Sequence, residues 1–277
     1  MLRRLALAPL LLVTACFPRA SPVQQASVYV DHGDYSSARN LLRERLEADP
    51  RDTRARRMLV RVLALMGDLG AARKEVDQLI EALGPRSAVP WVEWGRALEL
   101  AHRYAEALEA YDLAGRADPR DPLGPLTGGL RAAHWGELDL ALPRLEQAVK
   151  LDSGNPEAWH ALGLVRAGLG DLRGAALAYR AGLKVGPGSL TNHLGLATLG
   201  LKAGDAEQAL HHYTFIARAR PRFGDAHLGR ALALMKLGRL DEAEEALRAA
   251  RRLGAAPDAL ARQVRLLNQL QGLEKSQ

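Results

Sequence analysis

The chain has 277 residues, of which 48% are hydrophobic, 5% aromatic and 25% charged, with a formal net charge of +6 at pH 7. A single cysteine excludes an internal disulfide framework, and no HExxH, glycine-rich phosphate loop or CxxC occurs, which leaves no signature of a metalloprotease, a P-loop or a thiol redox centre. Arginines alternate with acids along the same stretches, the pattern of solvated helix faces rather than of a nucleic-acid surface.

The chain opens MLRRLALAPLLLVTACFPRA. Arg3 and Arg4 precede an apolar run over residues 5–15, the length of a secretory h-region and too short to cross a bilayer. It closes on Val13-Thr14-Ala15-Cys16, which resembles a bacterial lipobox. That resemblance implies that residues 1–15 are a removable signal peptide and that Cys16 is lipidated, so the chain is anchored to the membrane rather than spanning it. Each buried methylene contributes about 0.8 kcal/mol, so two or three acyl chains make a stable anchor. With Phe17 and not aspartate next, the resemblance to bacterial lipoproteins implies sorting to the outer membrane, facing the periplasm or exported to the surface. Without Arg3 and Arg4 the net charge is +4. Ser21-Pro22 has the form of a helix N-cap and first-turn proline. Residues 16–21 are therefore a short lipidated tether, of which residues 16–20 reach at most about 18 Å.

From residue 19 to residue 257 the chain repeats with a period of 34. Residues 19–52 carry Gly33-Asp34, Ala38, Leu42 and Pro50, and residues 53–86 carry Gly67-Asp68, Ala72 and Val76 in the same places. After the one inserted residue, Ser87, residues 88–121 carry Trp91, Trp94-Gly95, Tyr104, Ala107, Tyr111 and Pro119. Residues 122–155 follow with Gly129, Gly136, Ala141, Leu145 and Ala148, then 156–189 with Trp159, Leu162-Gly163, Gly170-Asp171, Ala175, Tyr179 and Pro187. Residues 190–223 hold Gly204-Asp205, Ala209, Tyr213 and Pro221, and residues 224–257 hold Gly238, Ala243 and Leu247. Each unit contains two amphipathic helical runs of about a dozen residues. The Gly-Asp pair breaks the first and caps the second. Small residues at positions 8 and 20 let the two helices approach, and the large residue at 24 fills the space beside them. One such pair cannot bury its own apolar face, so the units must stack.

This pattern closely resembles the tetratricopeptide repeat, with large residues at 4, 11 and 24, small ones at 8, 20 and 27 and proline at 32; Arg166, at position 11 of the fifth unit, departs from it. The resemblance implies an all-α, right-handed superhelix, an α-solenoid of seven helix-turn-helix repeats. It also implies that positions 2, 5, 6, 9, 12 and 13 of each first helix line a concave groove. On that groove fall Arg54, Arg57, Met58 and Arg61, a basic patch suited to an acidic peptide or lipid phosphate, or else a solvated face balanced by Asp49, Asp52 and Asp68. Farther along, the same positions hold Leu123, Leu126 and Leu130, then His160, Leu164 and Leu194, then Leu228, Leu232 and Met235. An amphipathic helix or extended segment of a partner protein would suit them, or else some of them pack between neighbouring repeats. The lysines and asparagines of the repeats that clamp chaperone tails are replaced here by Gln24, Ser27 and Met58.

The fourth unit, with two prolines and three glycines in its first helix and Pro143 early in its second, is expected to be the softest joint. In the seventh, early glutamates and late arginines suit the helix dipole and allow Glu244 to pair with Arg248. Beyond Pro257, residues 258–271 place Leu260, Val264, Leu267 and Leu270 on one face, a capping helix followed by a frayed tail over 273–277. His193 and His227 stand where tryptophans stand in other repeats and read as packing residues, while His211 and His212 are adjacent and cannot share a helix face. No cofactor, metal site or enzymatic activity is expected. Lipobox and repeats together resemble the lipoproteins of this repeat family that help assemble pili or motility machinery, the type IV pilus pilotins and the tight-adherence pilus lipoprotein among them. The implied partners are proteins in the groove and the membrane through the lipid, with no nucleic acid or small-molecule substrate. An adaptor for peptidoglycan hydrolases or envelope proteases is the first alternative, and a partner of a lipid or polysaccharide system the second.

Overall fold

The computed structural model describes residues 21–274; Cys16, the expected signal peptide and the expected tether up to residue 20 lie outside the described residues, as does the end of the tail. Among the described residues every regular element is an α-helix. They run α1 Pro22–Asp31, α2 Tyr35–Ala48, α3 Thr53–Leu65, α4 Leu69–Leu83, α5 Val89–Leu100, α6 Tyr104–Ala117, α7 Leu123–His134, α8 Leu138–Leu151, α9 Pro156–Gly168, α10 Leu172–Val185, α11 Leu190–Ala203, α12 Ala206–Ala219, α13 Gly224–Lys236, α14 Leu240–Arg252 and α15 Pro257–Glu274. Consecutive helices pack as antiparallel pairs, each second helix packs on the next first helix, and α3, α5, α7, α9 and α11 also touch in a row. The result is an all-α solenoid whose core is a succession of clusters rather than one centre.

The turns follow the sequence closely. Ser21 caps α1 through a reciprocal box with Gln24. Asp34, Asp68, Asp171 and Asp205 each accept a backbone N–H three residues on, at 2.8–3.0 Å. Before Asp171, Gly170 has φ +86°, the left-handed turn that ends the first helix; in the third repeat His102 takes that conformation at φ 59° despite its Cβ. Arg103, Glu137 and Arg239 stand in the cap position without a side-chain cap bond. Asp171→Ala is therefore expected to cost about 1 kcal/mol and Glu137→Ala only a few tenths, measured as urea-unfolding midpoints.

Between the helices of a pair, small and large residues meet as the spacing implies. Tyr179 is buried between two glycines: a Cβ on Gly195 would lie 2.5 Å from its ring, and one on Gly163 would overlap it more deeply. Gly95 meets Tyr111 in the same way, at 2.5 Å. The glycines of the fourth repeat also serve close packing. A Cβ on Gly124 would lie 2.5 Å from the Gly115 backbone nitrogen, and one on Gly129 would lie 2.7 Å from Leu145. They let α7 sit against α6 and α8, and α7 and α8 form in full although Pro143 removes one ladder hydrogen bond. Arg166 reaches across to Glu146 of the preceding repeat at 2.9 Å and to the Gly174 carbonyl, so its position carries a bridge between repeats instead of a large apolar residue. In α14 the Glu244–Arg248 pair is present at 3.8 Å. Leu267 of α15 is buried in the last core cluster, with Leu260, Val264 and Leu270 packed at its edge. The helix continues through Leu273 and Glu274, into the stretch expected to fray.

Candidate functional site

The first helices of repeats 2 to 6 lie side by side, so equivalent positions form rows along the concave face. Position 9 reads Arg61, Arg96, Leu130, Leu164, Thr198 and Leu232 from the second repeat to the seventh. The row changes character between α5 and α7, from cationic to apolar.

At the cationic end, α3 presents Arg57 and Arg61 on one face, one turn apart, and α5 presents Glu93 and Arg96 opposite them. Glu93 is completely buried. Its Oε1 accepts from Arg57 Nε at 2.8 Å and Nη2 at 2.7 Å, from Arg61 Nη2 at 3.0 Å and from Arg96 Nη1 at 2.9 Å, while Oε2 accepts from Arg61 Nε at 2.9 Å. Burial disfavours its ionisation, but the Arg61 and Arg57 guanidiniums outweigh that and hold the carboxyl below the usual carboxylate range. Next along the face, Glu99 accepts from Tyr111 Oη and Arg131 Nε, both at 2.7 Å. Arg54 is exposed, whereas Met58 is half buried against the core. The acids expected to balance this patch are engaged elsewhere: Asp49 and Asp52 bind Arg45 at 3.1 and 2.7 Å, and Asp68 caps α4. Glu93 is the counter-ion that sequence reasoning missed. Its signal was available, because Ser87 makes the step between these two repeats 35 residues, and residues 32 and 36 apart flank that step and meet across neighbouring repeats, as Arg61 and Arg57 do with Glu93.

At the apolar end Leu130 and Leu164 keep 44% and 53% of their surface exposed, and Leu194 is also exposed. Leu123, Leu126 and His160 are half buried beside them. His160 packs its ring 5.7 Å from that of Tyr179, and its buried Nδ1 has no partner. The expectation fails in the seventh repeat. Leu228 and Met235 are only 5% exposed and share a core cluster with Leu267 of α15, against which Leu232 is packed too. A terminal repeat has no following neighbour, so the capping helix takes up this surface. The open apolar row runs from Leu130 of α7 to Leu164 of α9; α11 places Thr198 at that position and the exposed Leu194 one turn before it.

His193 does pack as expected, stacked 3.8 Å from Phe215, but it is also half of a buried pair. Its Nδ1 lies 2.8 Å from Nδ1 of His212, and its Nε2 lies 3.1 Å from the Pro187 carbonyl oxygen. A carbonyl only accepts, so His193 carries its hydrogen on Nε2 and His212 donates from Nδ1. Among the described residues no cluster of three or more His, Cys, Asp or Glu side chains could hold a metal, and no helix is long and apolar enough to cross a membrane.

Tetratricopeptide repeat models match residues 29–89, 129–189 and 194–259, which is more than half of the chain. No curated protein matches the sequence. Among solved structures, the C-terminal part of a TPR repeat-containing protein from Cytophaga hutchinsonii is similar over 86% of this chain and 98% of that one, with 14% identity and a TM-score of 0.63. YrrB, a TPR protein with an unusual peptide-binding site, is similar over 69% of this chain and 97% of its own, with 16% identity and a TM-score of 0.59. PilW, a widely conserved type IV pilus biogenesis factor, is similar over 72% of this chain and 92% of its own, with 20% identity and a TM-score of 0.51. At such identities the likeness is one of fold. With seven helix pairs in register and the repeat models matched along its length, the chain belongs to the tetratricopeptide repeat family.

Proposed function

We propose that this chain is a non-enzymatic scaffold, anchored by lipid on Cys16 in the bacterial outer membrane and facing the periplasm, that holds partner proteins in its concave groove to assemble or stabilise a pilus or secretin apparatus. The observation that carries the binding role is that the exposed leucines Leu130, Leu164 and Leu194 stand at groove positions of three successive first helices. Covering the exposed part of each would contribute roughly 1 kcal/mol, and the described residues leave that part open. The lipobox-like segment supports the anchor, and the fold shared with PilW supports the pilus assignment.

Crosslinking and co-purification from intact cells tests this, with the native chain beside Leu130→Glu/Leu164→Glu and Cys16→Ala. A secretin or pilus component should co-purify with the native chain and be lost with the leucine variant. Cell-wall hydrolases in its place would replace the pilus assignment by a hydrolase adaptor, and an unchanged partner set in the leucine variant would remove the groove from the account. Cys16→Ala should shift the protein from the membrane to the soluble fraction; retention in the membrane would overturn the lipid anchor.

A further inference from the structure

We infer that the groove takes a protein segment of defined polarity, acidic at the end lying over α3 and α5 and apolar where it crosses α7, α9 and α11. This rests on the protein-binding reading above and goes beyond it by stating the partner's chemistry and direction.

Charge gives the first half. Arg57, Arg61 and Arg96 converge on the single carboxylate of Glu93, so the cluster keeps an excess of two positive charges. All three side chains are 37% exposed, although their counter-ion is fully buried. Glu93 occupies Nε and Nη2 of Arg57 and Arg61 and Nη1 of Arg96. Nη1 of Arg57 and of Arg61, and Nε and Nη2 of Arg96, have no protein partner among the described residues. The buried carboxylate therefore fixes the guanidiniums and leaves donors for a second anion. Preorganised, charge-assisted donors of this kind select carboxylates.

Register gives the second half. Arg61 and Arg96 occupy the same position of their helices as Leu130 and Leu164 do of theirs, so the anion site and the leucines belong to one row. Neighbouring helices lie about 9 Å apart, and an extended chain advances about 10 Å in three residues. In the polyproline II form, with three residues per turn and about 3.1 Å per residue, every third side chain of such a segment points to the same face and would meet one repeat after another. About ten residues would then cross from Arg96 to Leu194. A lipid headgroup would satisfy the arginines but could not extend along the leucines.

The test uses the full chain, extracted in detergent, and a fluorescent synthetic peptide of about fifteen residues with three aspartates at one end and leucine at every third position beyond. Anisotropy should show binding that falls by ~tenfold when the aspartates become asparagines, and by a similar factor in Arg61→Gln/Arg96→Gln or in Leu130→Glu/Leu164→Glu. Should the arginine variant lose its helical circular dichroism, the asparagine peptide on the native chain decides the charge question. A photocrosslinker at the acidic end should label α3 or α5, and one at the apolar end α9 or α11. Equal binding of the asparagine peptide, crosslinks in the opposite order, or binding to phosphatidylglycerol vesicles with none to the peptide would each overturn the inference. If the peptide fails while the partner captured in cells still depends on Leu130 and Leu164, the stated polarity and chemistry fall and the scaffold remains.

Discussion

Gly163→Ala is expected to lower the unfolding free energy by about 2–3 kcal/mol, although alanine is the better helix former by about 1 kcal/mol. The new methyl group would enter the Tyr179 ring, and the ring cannot retreat, because Gly195 of the next repeat lies against its other side with 2.5 Å between the ring and the place of a Cβ. The sixth repeat shows what relief looks like. There Ala197 stands at position 8 and Tyr213 leans on Gly229. Tyr179 has glycine on both sides and no such freedom. The seventh repeat combines Ala231 with Leu247 at the equivalent positions. The double variant Gly163→Ala/Tyr179→Leu should accordingly be less destabilised than the sum of its single changes, a non-additivity that contacting residues show. Urea unfolding followed by circular dichroism measures both effects. An unchanged midpoint in Gly163→Ala would mean that the ring is not clamped.

Acidification is the second large effect. Burial, and then the neighbouring His193, His211 and Arg180, push the His212 imidazole down to about 4 from its ordinary 6.5. Burial also lowers His193. Protonating the pair would set two N–H groups against each other across 2.8 Å. The folded state therefore binds the proton less readily than the unfolded chain. Its advantage is complete above pH 6.5, falls as pH drops from 6.5 towards 4, and levels off below. For His212 the loss over that window is about 3 kcal/mol at most. His160 and His227 are also lowered by burial and act in the same direction. Urea midpoints at pH 7.5 and 4.5 should differ markedly in the native chain and less in His212→Gln. Equal pH dependence in the two would exclude the pair as its source.

The helices and turns were legible because each repeat states them locally: the Gly-Asp turns, the Ser21 cap and the small-to-large pairing of Gly163 with Tyr179 all follow from spacing within one unit. That Leu130, Leu164 and Leu194 are exposed follows from the same spacing. Contacts between units were less so. Arg61 with Glu93, Glu99 with Arg131 and Asp112 with Arg144 are each separated by 32 residues, two short of the period for the last two pairs and three short of the 35-residue step that Ser87 creates for the first, and only a search at such offsets would have paired them. The burial of Leu228 and Met235 was hidden because groove positions were assigned alike in every repeat, whereas the last one is covered by α15. The histidine pair joins position 4 of one helix to the next helix of the same repeat, where adjacency along the chain said only that His211 and His212 point apart.

The ring of Tyr179 belongs to two repeats at once, seated on Gly163 of its own and on Gly195 of the next. In mechanical terms the array is made of overlapping links and not of beads on a string. Tension applied along it, as when one end is held and the other is pulled by a growing assembly, cannot peel off the fifth repeat without also opening the sixth. Load on this stretch is borne by both repeats until they yield together, so an array of this kind resists stretching more stiffly than its short helices would alone.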